Sequence, residues 1–293
     1  MPVGRLMTAM ATPFTAELEL DLAKSRSLAQ RLVDDGSDGI VVAGTTGESP
    51  TLGTEEKISL FEAVADAVGD RATVWANTGN YDTNASIQLT QAAERTGVHG
   101  VMLVVPYYNK PSQEGLYRHF RAIAEATRLP VMLYNVPSRT SQNLAADTVL
   151  RIARDCPNVV AVKEASGNLE QAAEILRGRE GDLSVLSGDD KLTLPLLSVG
   201  ADGVVSVASH LVGPEIRRMI EAFVTGHVHL AQEIHLRLLP LFTGLFVTSN
   251  PVPLKWAMRL CGRDIGGVRG PLAPPSAAEE EFLQHLLRAQ GLM

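Results

Sequence analysis

Lys163 closes the run Val159-Val160-Ala161-Val162, and of all side chains in the sequence it is the one best placed to do chemistry. Lysine is seldom buried without a reason. Desolvation disfavours the charged form of a buried amine, leaving a nucleophile that captures a carbonyl carbon near neutral pH. Glu164 follows directly, but successive side chains on a strand alternate in direction, so its carboxylate is expected to face away from the amine. A lysine snorkelling from the strand end into solvent is the competing reading.

Phenols and hydroxyls gather at similar places. The chain has 5 tyrosines, and three of them fall in Pro106-Tyr107-Tyr108-Asn109 and Tyr134-Asn135-Val136-Pro137-Ser138-Arg139, each segment ending an apolar run. Tyrosine packs at rims for its apolar body alone, yet in a water-poor pocket phenols pass protons. Arg139 suits either a surface ion pair or a fork onto a substrate carboxylate. Gly44-Thr45-Thr46-Gly47-Glu48-Ser49 offers backbone N–H groups for a carboxylate or phosphate, or merely caps the next helix. No Gly-Lys-Ser/Thr completes a nucleotide-binding loop, and no Gly-x-Gly-x-x-Gly follows a strand.

Other clusters point to ordinary structure. Ser187-Gly188-Asp189-Asp190 reads as a turn and helix cap more readily than as a magnesium site. The 7 histidines are dispersed, and the spacing of His227, His229 and His235 does not align them on one helical face, so no metal site is expected. Cys156 and Cys261 lie far apart and form no CxxC pair, which excludes a disulfide framework and a zinc finger.

Positioning these groups requires regular elements, and the chain alternates short apolar runs with longer amphipathic ones. Strands are predicted at Leu6–Ala11, Gly39–Val42, Thr73–Asn77, Gly100–Pro106, Val131–Val136, Val159–Lys163, Ser184–Ser187 and Gly203–Val207. Val101-Met102-Leu103-Val104-Val105 has no polar alternate, as befits a strand buried on both faces. Ile58, Phe61, Val64, Ala65 and Val68 form one helical stripe, with Thr54 expected as its N-cap and Glu55 and Glu56 in its first turn. Eight strand–helix units at crossover spacing favour a (β/α)8 TIM barrel over an open doubly wound sheet. The strand runs stop near Gly226, and His229–Leu241, Pro251–Leu260 and Ala277–Ala289 read as helices, with Asn250 capping the second. The expected organisation is a catalytic barrel over residues 1–225 and a small all-helical domain over 226–293.

A length of 293 residues accommodates a barrel of about 250 residues plus an appendage. A composition of 45% hydrophobic and 20% charged residues is that of a globular protein. A net charge of -7 without a basic cluster argues against nucleic acid as a partner. The start carries no basic segment followed by a long apolar run, and no stretch approaches the ~18 residues of a bilayer span. These features read as a reduced, cytoplasmic, soluble chain with no membrane partner.

Gly44-Thr45-Thr46-Gly47-Glu48-Ser49, Tyr134-Asn135-Val136-Pro137 and Val162-Lys163-Glu164-Ala165-Ser166, in this order and spacing, resemble the pyruvate-dependent class I aldolase/lyase family. The resemblance covers roughly Met7 to Val207, and the helical tail agrees with it. It implies a barrel with C-terminal helices and a homotetramer. Lys163 would form a Schiff base with pyruvate, so that no cofactor is needed, and Tyr134 would shuttle protons beside it. Thr45 would link Tyr134 to Tyr108 in a hydroxyl relay, with Tyr108 supplied across a subunit interface. Thr46 would hold the pyruvate carboxylate, and Gly188 and Val205 would line the pocket. Arg139 in Tyr-Asn-Val-Pro-Ser-Arg-Thr, together with Pro106 to Gly115, resembles members that condense pyruvate with L-aspartate 4-semialdehyde in lysine and diaminopimelate biosynthesis. There the arginine meets the semialdehyde's carboxylate. Members that cleave N-acetylneuraminate or a 2-keto-3-deoxy sugar acid are the alternative, and sialic acid lyases generally lack that arginine. Family members inhibited by lysine hold it with His, Asn and Glu side chains at positions corresponding to Thr54, Lys57, Tyr81 and Ala85, so feedback is expected to be weak or absent. Ser141 stands where many relatives have glycine, a small departure.

Overall fold

The computed structural model describes residues 3–293. Eight strands run β1 (Leu6–Ala9), β2 (Gly39–Val42), β3 (Thr73–Asn77), β4 (Gly100–Val104), β5 (Val131–Asn135), β6 (Val159–Glu164), β7 (Ser184–Ser187) and β8 (Gly203–Ser206). Each pairs in parallel with the next, and β8 returns to β1 through Leu6↔Val204, Met7↔Val205 and Thr8↔Ser206, closing the barrel. The open-sheet alternative is thereby excluded. Helices from Leu22–Asp34 to Ser209–Val224 ring the barrel, and Val228–Gly244, Val252–Leu260 and Ala277–Ala289 follow.

Strand alternation divides the side chains into two apolar sets. Met7, Ala9, Val41, Trp75, Met102, Met132, Tyr134, Ala161, Leu186 and Val205 form one cluster, the filling of the barrel interior. Their neighbours Leu6, Ile40, Val42, Val74, Val101, Leu103, Leu133, Val162, Val185 and Val204 pack outward under the helices. Both faces of these strands are therefore buried, which is why the runs carry no polar alternate. Parity then fixes the chemistry: Lys163 shares the face of Ala161 and points inward, and Glu164 shares the face of Val162.

Several predicted boundaries shift. Four strands stop one or two residues early, because Met10, Ala11, Val105 and Val207 remain buried beyond the last rung of the ladder. Thr54 is the first residue of its helix and Gly53 caps it; the Gly53 N–H is satisfied by Glu56 Oε2 at 2.9 Å. Asn250 does not cap the helix Val252–Leu260 either, since Pro251 occupies that position.

Candidate active site

Lys163 lies next to the end of β6, and only 5% of it is accessible. Tyr134 is its register partner on β5, and Lys163 Nζ stands 4.2 Å from the centre of the phenol ring. No acid lies within ion-pairing distance of the amine among the described residues. Glu164, as its parity requires, is held on the far side of the strand: it accepts hydrogen bonds from the Ser166 N–H (2.6 Å), Gln171 Nε2 (3.0 Å) and Asn135 Nδ2 (3.1 Å). Asn143 joins this buried amide network by accepting from Asn135 at 2.8 Å. The network absorbs the carboxylate's acceptor capacity away from the amine.

Gly188 closes one side of Lys163. A Cβ there would fall 2.6 Å from Ala165 Cβ and 3.2 Å from both Cγ and Cε of Lys163. Its N–H donates to the Glu164 carbonyl at 2.8 Å, which continues the β6–β7 ladder past the strand end. Asp189 caps the short turn Asp190–Leu192, and the buried Asp190 accepts from the Val207 and Ala208 N–H groups, both at 2.9 Å. Burial pushes the Asp190 carboxyl up, against the lowering effect of Ser206 and those two amides. Asp190 thus ties the loop after β7 to the loop after β8, beside Val205, which is buried in the interior cluster.

At the same barrel end, β2 runs into Gly44-Thr45-Thr46-Gly47, bracketed by Ala43 and Glu48 at φ 53° and 55°. Two non-glycine residues in the left-handed region mark a loop held under strain, a frequent property of functional sites. A Cβ on Gly47 would lie 3.0 Å from Ala43 Cα and 3.1 Å from Met10 O, so any larger residue would push this backbone apart by a few tenths of an ångström. The backbone N–H groups of Thr45, Thr46 and Gly47 have no acceptor among the described residues. Consecutive unpaired amides are the groups from which anion-binding backbone concavities are built. Gly44 sits over the interior cluster, where a Cβ would meet Met102 Cε at 3.5 Å.

The remaining predicted residues stand farther out. Arg139 is exposed on the short helix Pro137–Thr140 and makes no ion pair among the described residues. Thr45 is half-buried. Tyr108 is 92% exposed at φ 74°, and the Asn109 N–H donates to the Tyr107 carbonyl at 3.0 Å, a strained γ-turn that holds the phenol away from its own barrel. Tyr107 packs edge-on against Tyr81 at 5.2 Å, and burial, with Tyr81 adding to it, pushes its phenol up. Lys163, Tyr134, Gly188 and Val205 therefore assemble within one chain, whereas no hydrogen bond links the hydroxyls of Thr45, Tyr134 and Tyr108 there.

Sequence reasoning missed the groups that tie this loop to the C-terminal helices. Lys255 Nζ lies 2.7 Å from Glu48 Oε1, both side chains almost wholly buried, in an ion pair off the axis of a good hydrogen bond. Burial pulls Lys255 down while Glu48 pulls it up, and the ammonium also donates to Gly267 O at 2.7 Å. The Arg269 N–H donates to Glu48 Oε2 at 2.8 Å. Glu48 lies more than two hundred residues from both Lys255 and Arg269, and no local pattern announces these contacts.

A closed (β/α)8 barrel with an inward lysine, an adjoining phenol and a loop of unpaired backbone amides at the carboxyl ends of its strands defines a barrel lyase. The chain belongs to the Dihydrodipicolinate synthetase family, which it matches over residues 2–290. It is 56% identical over 293 residues to 4-hydroxy-tetrahydrodipicolinate synthase of Moorella thermoacetica, with 100% of each chain covered. Among solved structures it resembles DHDPS from Cyanidioschyzon merolae with lysine bound (TM-score 0.97, 50% identity, 99% of each chain). It also resembles the chloride-inhibited dihydrodipicolinate synthase from Acinetobacter baumannii complexed with pyruvate (TM-score 0.95, 35% identity, 99% of this chain and 100% of the other).

Proposed function

We propose that this chain condenses pyruvate with L-aspartate 4-semialdehyde through an imine on Lys163, the 4-hydroxy-tetrahydrodipicolinate synthase reaction of lysine and diaminopimelate biosynthesis. The observation that carries the reading is the inward Lys163 amine, unpaired and 4.2 Å from the Tyr134 ring. The amine adds to the pyruvate ketone carbon to give a carbinolamine, whose hydroxyl takes up a proton and leaves as water, giving the protonated imine. Removal of a methyl proton leaves an enamine, whose carbon bonds to the aldehyde carbon of the second substrate while the aldehyde oxygen takes up a proton; addition of water or of the product's own amine to the imine so re-formed then expels the Lys163 amine. Tyr134 is the group beside the imine that transfers these protons. The cradle of Thr45, Thr46 and Gly47, with the Thr46 hydroxyl, holds the pyruvate carboxylate, and Gly188 and Val205 shape the pocket. Arg139, with no acid partner among the described residues, receives the carboxylate of the semialdehyde. Curated relatives bearing the synthase name, together with that arginine, favour this reading over cleavage of a sugar acid or N-acetylneuraminate.

The exposed Tyr108 is completed by a second copy of the chain: its phenol enters a neighbouring barrel and reaches Tyr134 through Thr45, within a homotetramer. Residues 226–293 act as the helical unit that braces the loop after β2. No helix among the described residues is long and apolar enough to cross a membrane; a cytoplasmic location fits a reaction between two small metabolites. Incubation with pyruvate and borohydride tests the central step. A reduced pyruvate adduct is expected on Lys163 by mass spectrometry and absent from Lys163→Ala. Turnover of a sugar acid, with none of the semialdehyde in a reductase-coupled assay, would overturn the substrate assignment.

A further inference from the structure

Asn250 stands two residues before the first residue of the helix Val252–Leu260, and its side chain does not cap it. The amide is 5% exposed and reaches across the chain to the loop after β2, where Nδ2 donates to Thr46 Oγ1 at 2.9 Å. Its other end, Oδ1, is buried with no partner. Burying an amide half-satisfied is unfavourable, and a side chain serving packing alone would avoid it. Thr46 is itself only 3% exposed, and Asn250 is its hydroxyl's one partner among the described residues. A threonine hydroxyl has one proton and two lone pairs. With Asn250 donating into a lone pair, the proton remains without an acceptor inside a buried loop whose neighbouring N–H groups are also unpaired.

We infer that Asn250 is a positioning residue that fixes the Thr46 hydroxyl as a hydrogen-bond donor to the carboxylate of the keto acid. The inference rests on the reading of Thr46 as a carboxylate partner. Free to rotate, that hydroxyl would present a lone pair to the anion part of the time; held by Asn250, it presents its proton. The Glu48–Lys255 ion pair, two residues beyond Thr46 and five beyond Asn250, keeps the two segments in fixed relation.

Asn250→Asp supplies the test, because an ionised carboxylate of nearly the same shape accepts where the amide donates and draws the Thr46 proton onto itself. The readout is the pyruvate concentration giving half-maximal borohydride-trapped adduct on Lys163, measured beside thermal stability. The expected result is a rise of about tenfold in Asn250→Asp, the loss of roughly one hydrogen bond to a charged group, with a smaller rise in Asn250→Ala. On a Thr46→Val background the Asp substitution should add less than about twofold, since the hydroxyl it acts through is gone. An unchanged half-saturation in Asn250→Asp would mean that the amide faces the other way, with Thr46 donating to Oδ1, and would overturn the inference. So would an equal rise on the Thr46→Val background, the mark of a purely structural role. Should Asn250→Asp fail to fold, the same pairing of Asn250→Ala with Thr46→Val decides the matter by the same criterion. If Thr46→Val alone leaves half-saturation unchanged, the carboxylate assignment fails first and the positioning role falls with it.

Discussion

Tyr134 and Lys163 are partners across the β5–β6 ladder, and the amine lies over the phenol ring, 4.2 Å from the ring centre. The aromatic face and the proton-carrying oxygen are therefore separable by mutation. Tyr134→Phe retains the face that steadies a cationic imine and removes only the hydroxyl. Turnover is expected to fall by about 10²–10⁴-fold, the usual worth of a positioned acid–base group. Borohydride should still trap some pyruvate adduct. A variant with near-normal turnover would remove Tyr134 from proton transfer.

Gly188→Ala is expected to act through Lys163. The new methyl would contact Ala165 Cβ at 2.6 Å and the lysine stem at 3.2 Å, so the stem must shift. Displacement of the nucleophile by a fraction of an ångström should lower kcat/KM by about 10²-fold. Overpacking should reduce stability by about 1–3 kcal/mol. Steady-state kinetics and thermal unfolding of one preparation check both effects; unchanged kinetics would show that Lys163 tolerates the intrusion.

Lysine is expected to inhibit weakly or not at all. Lys57 is half-buried without an ion pair among the described residues, and burial pulls its ammonium down. A second ammonium entering beside it would find a cation, with Ala85 offering no carboxylate to offset it. A dose–response curve for L-lysine at subsaturating pyruvate measures this directly, and strong inhibition at sub-millimolar concentration would contradict it.

Acid should destabilise the fold through buried neutral histidines. His210 is wholly enclosed: Nε2 accepts the Ala11 N–H at 3.1 Å and Nδ1 faces the Val207 carbonyl at 2.8 Å. Burial lowers its pKa to about 4, against the raising effect of Val207; His119 falls to about 4 by burial too, opposed by Asp82. A folded pKa below the unfolded one means that the unfolded chain binds the proton first as pH drops. This contribution is intact above the unfolded value near 6.5 and is lost as pH falls toward 4. The loss is about 2–3 kcal/mol for His210. Thermal unfolding from about pH 7 to about pH 4.5 should show a flatter profile for His210→Gln than for the parent chain. Parallel profiles would assign the acid sensitivity elsewhere.

Much of this arrangement is legible in the sequence because burial and hydrogen bonding leave different traces. The runs Gly39–Val42, Thr73–Asn77 and Ser184–Ser187 coincide with the strands, whereas Leu6–Ala11 and Gly100–Pro106 overrun theirs. Apolarity reports exclusion from water, and Met10, Ala11 and Val105 are excluded from water after the ladder has ended. Lys163 was legible for the same reason: alternation alone sends it inward and Glu164 outward. Asn250 was not, because an Asn-Pro pair beside a helical run matches a cap equally well, and nothing local reveals an acceptor 204 residues earlier. The placement of Tyr108 was equally hidden, since its left-handed backbone follows from the γ-turn, not from its residue type.

The bond between Asn250 and Thr46 also orders events during synthesis. A ribosome adding about 5–20 residues per second reaches Asn250 roughly 10–40 s after Thr46, when every strand has already been translated. The last strand ends at Ser206, so all eight strands precede in synthesis the residue that braces the loop after β2. The partner of the Thr46 hydroxyl thus comes from the last fifth of the chain.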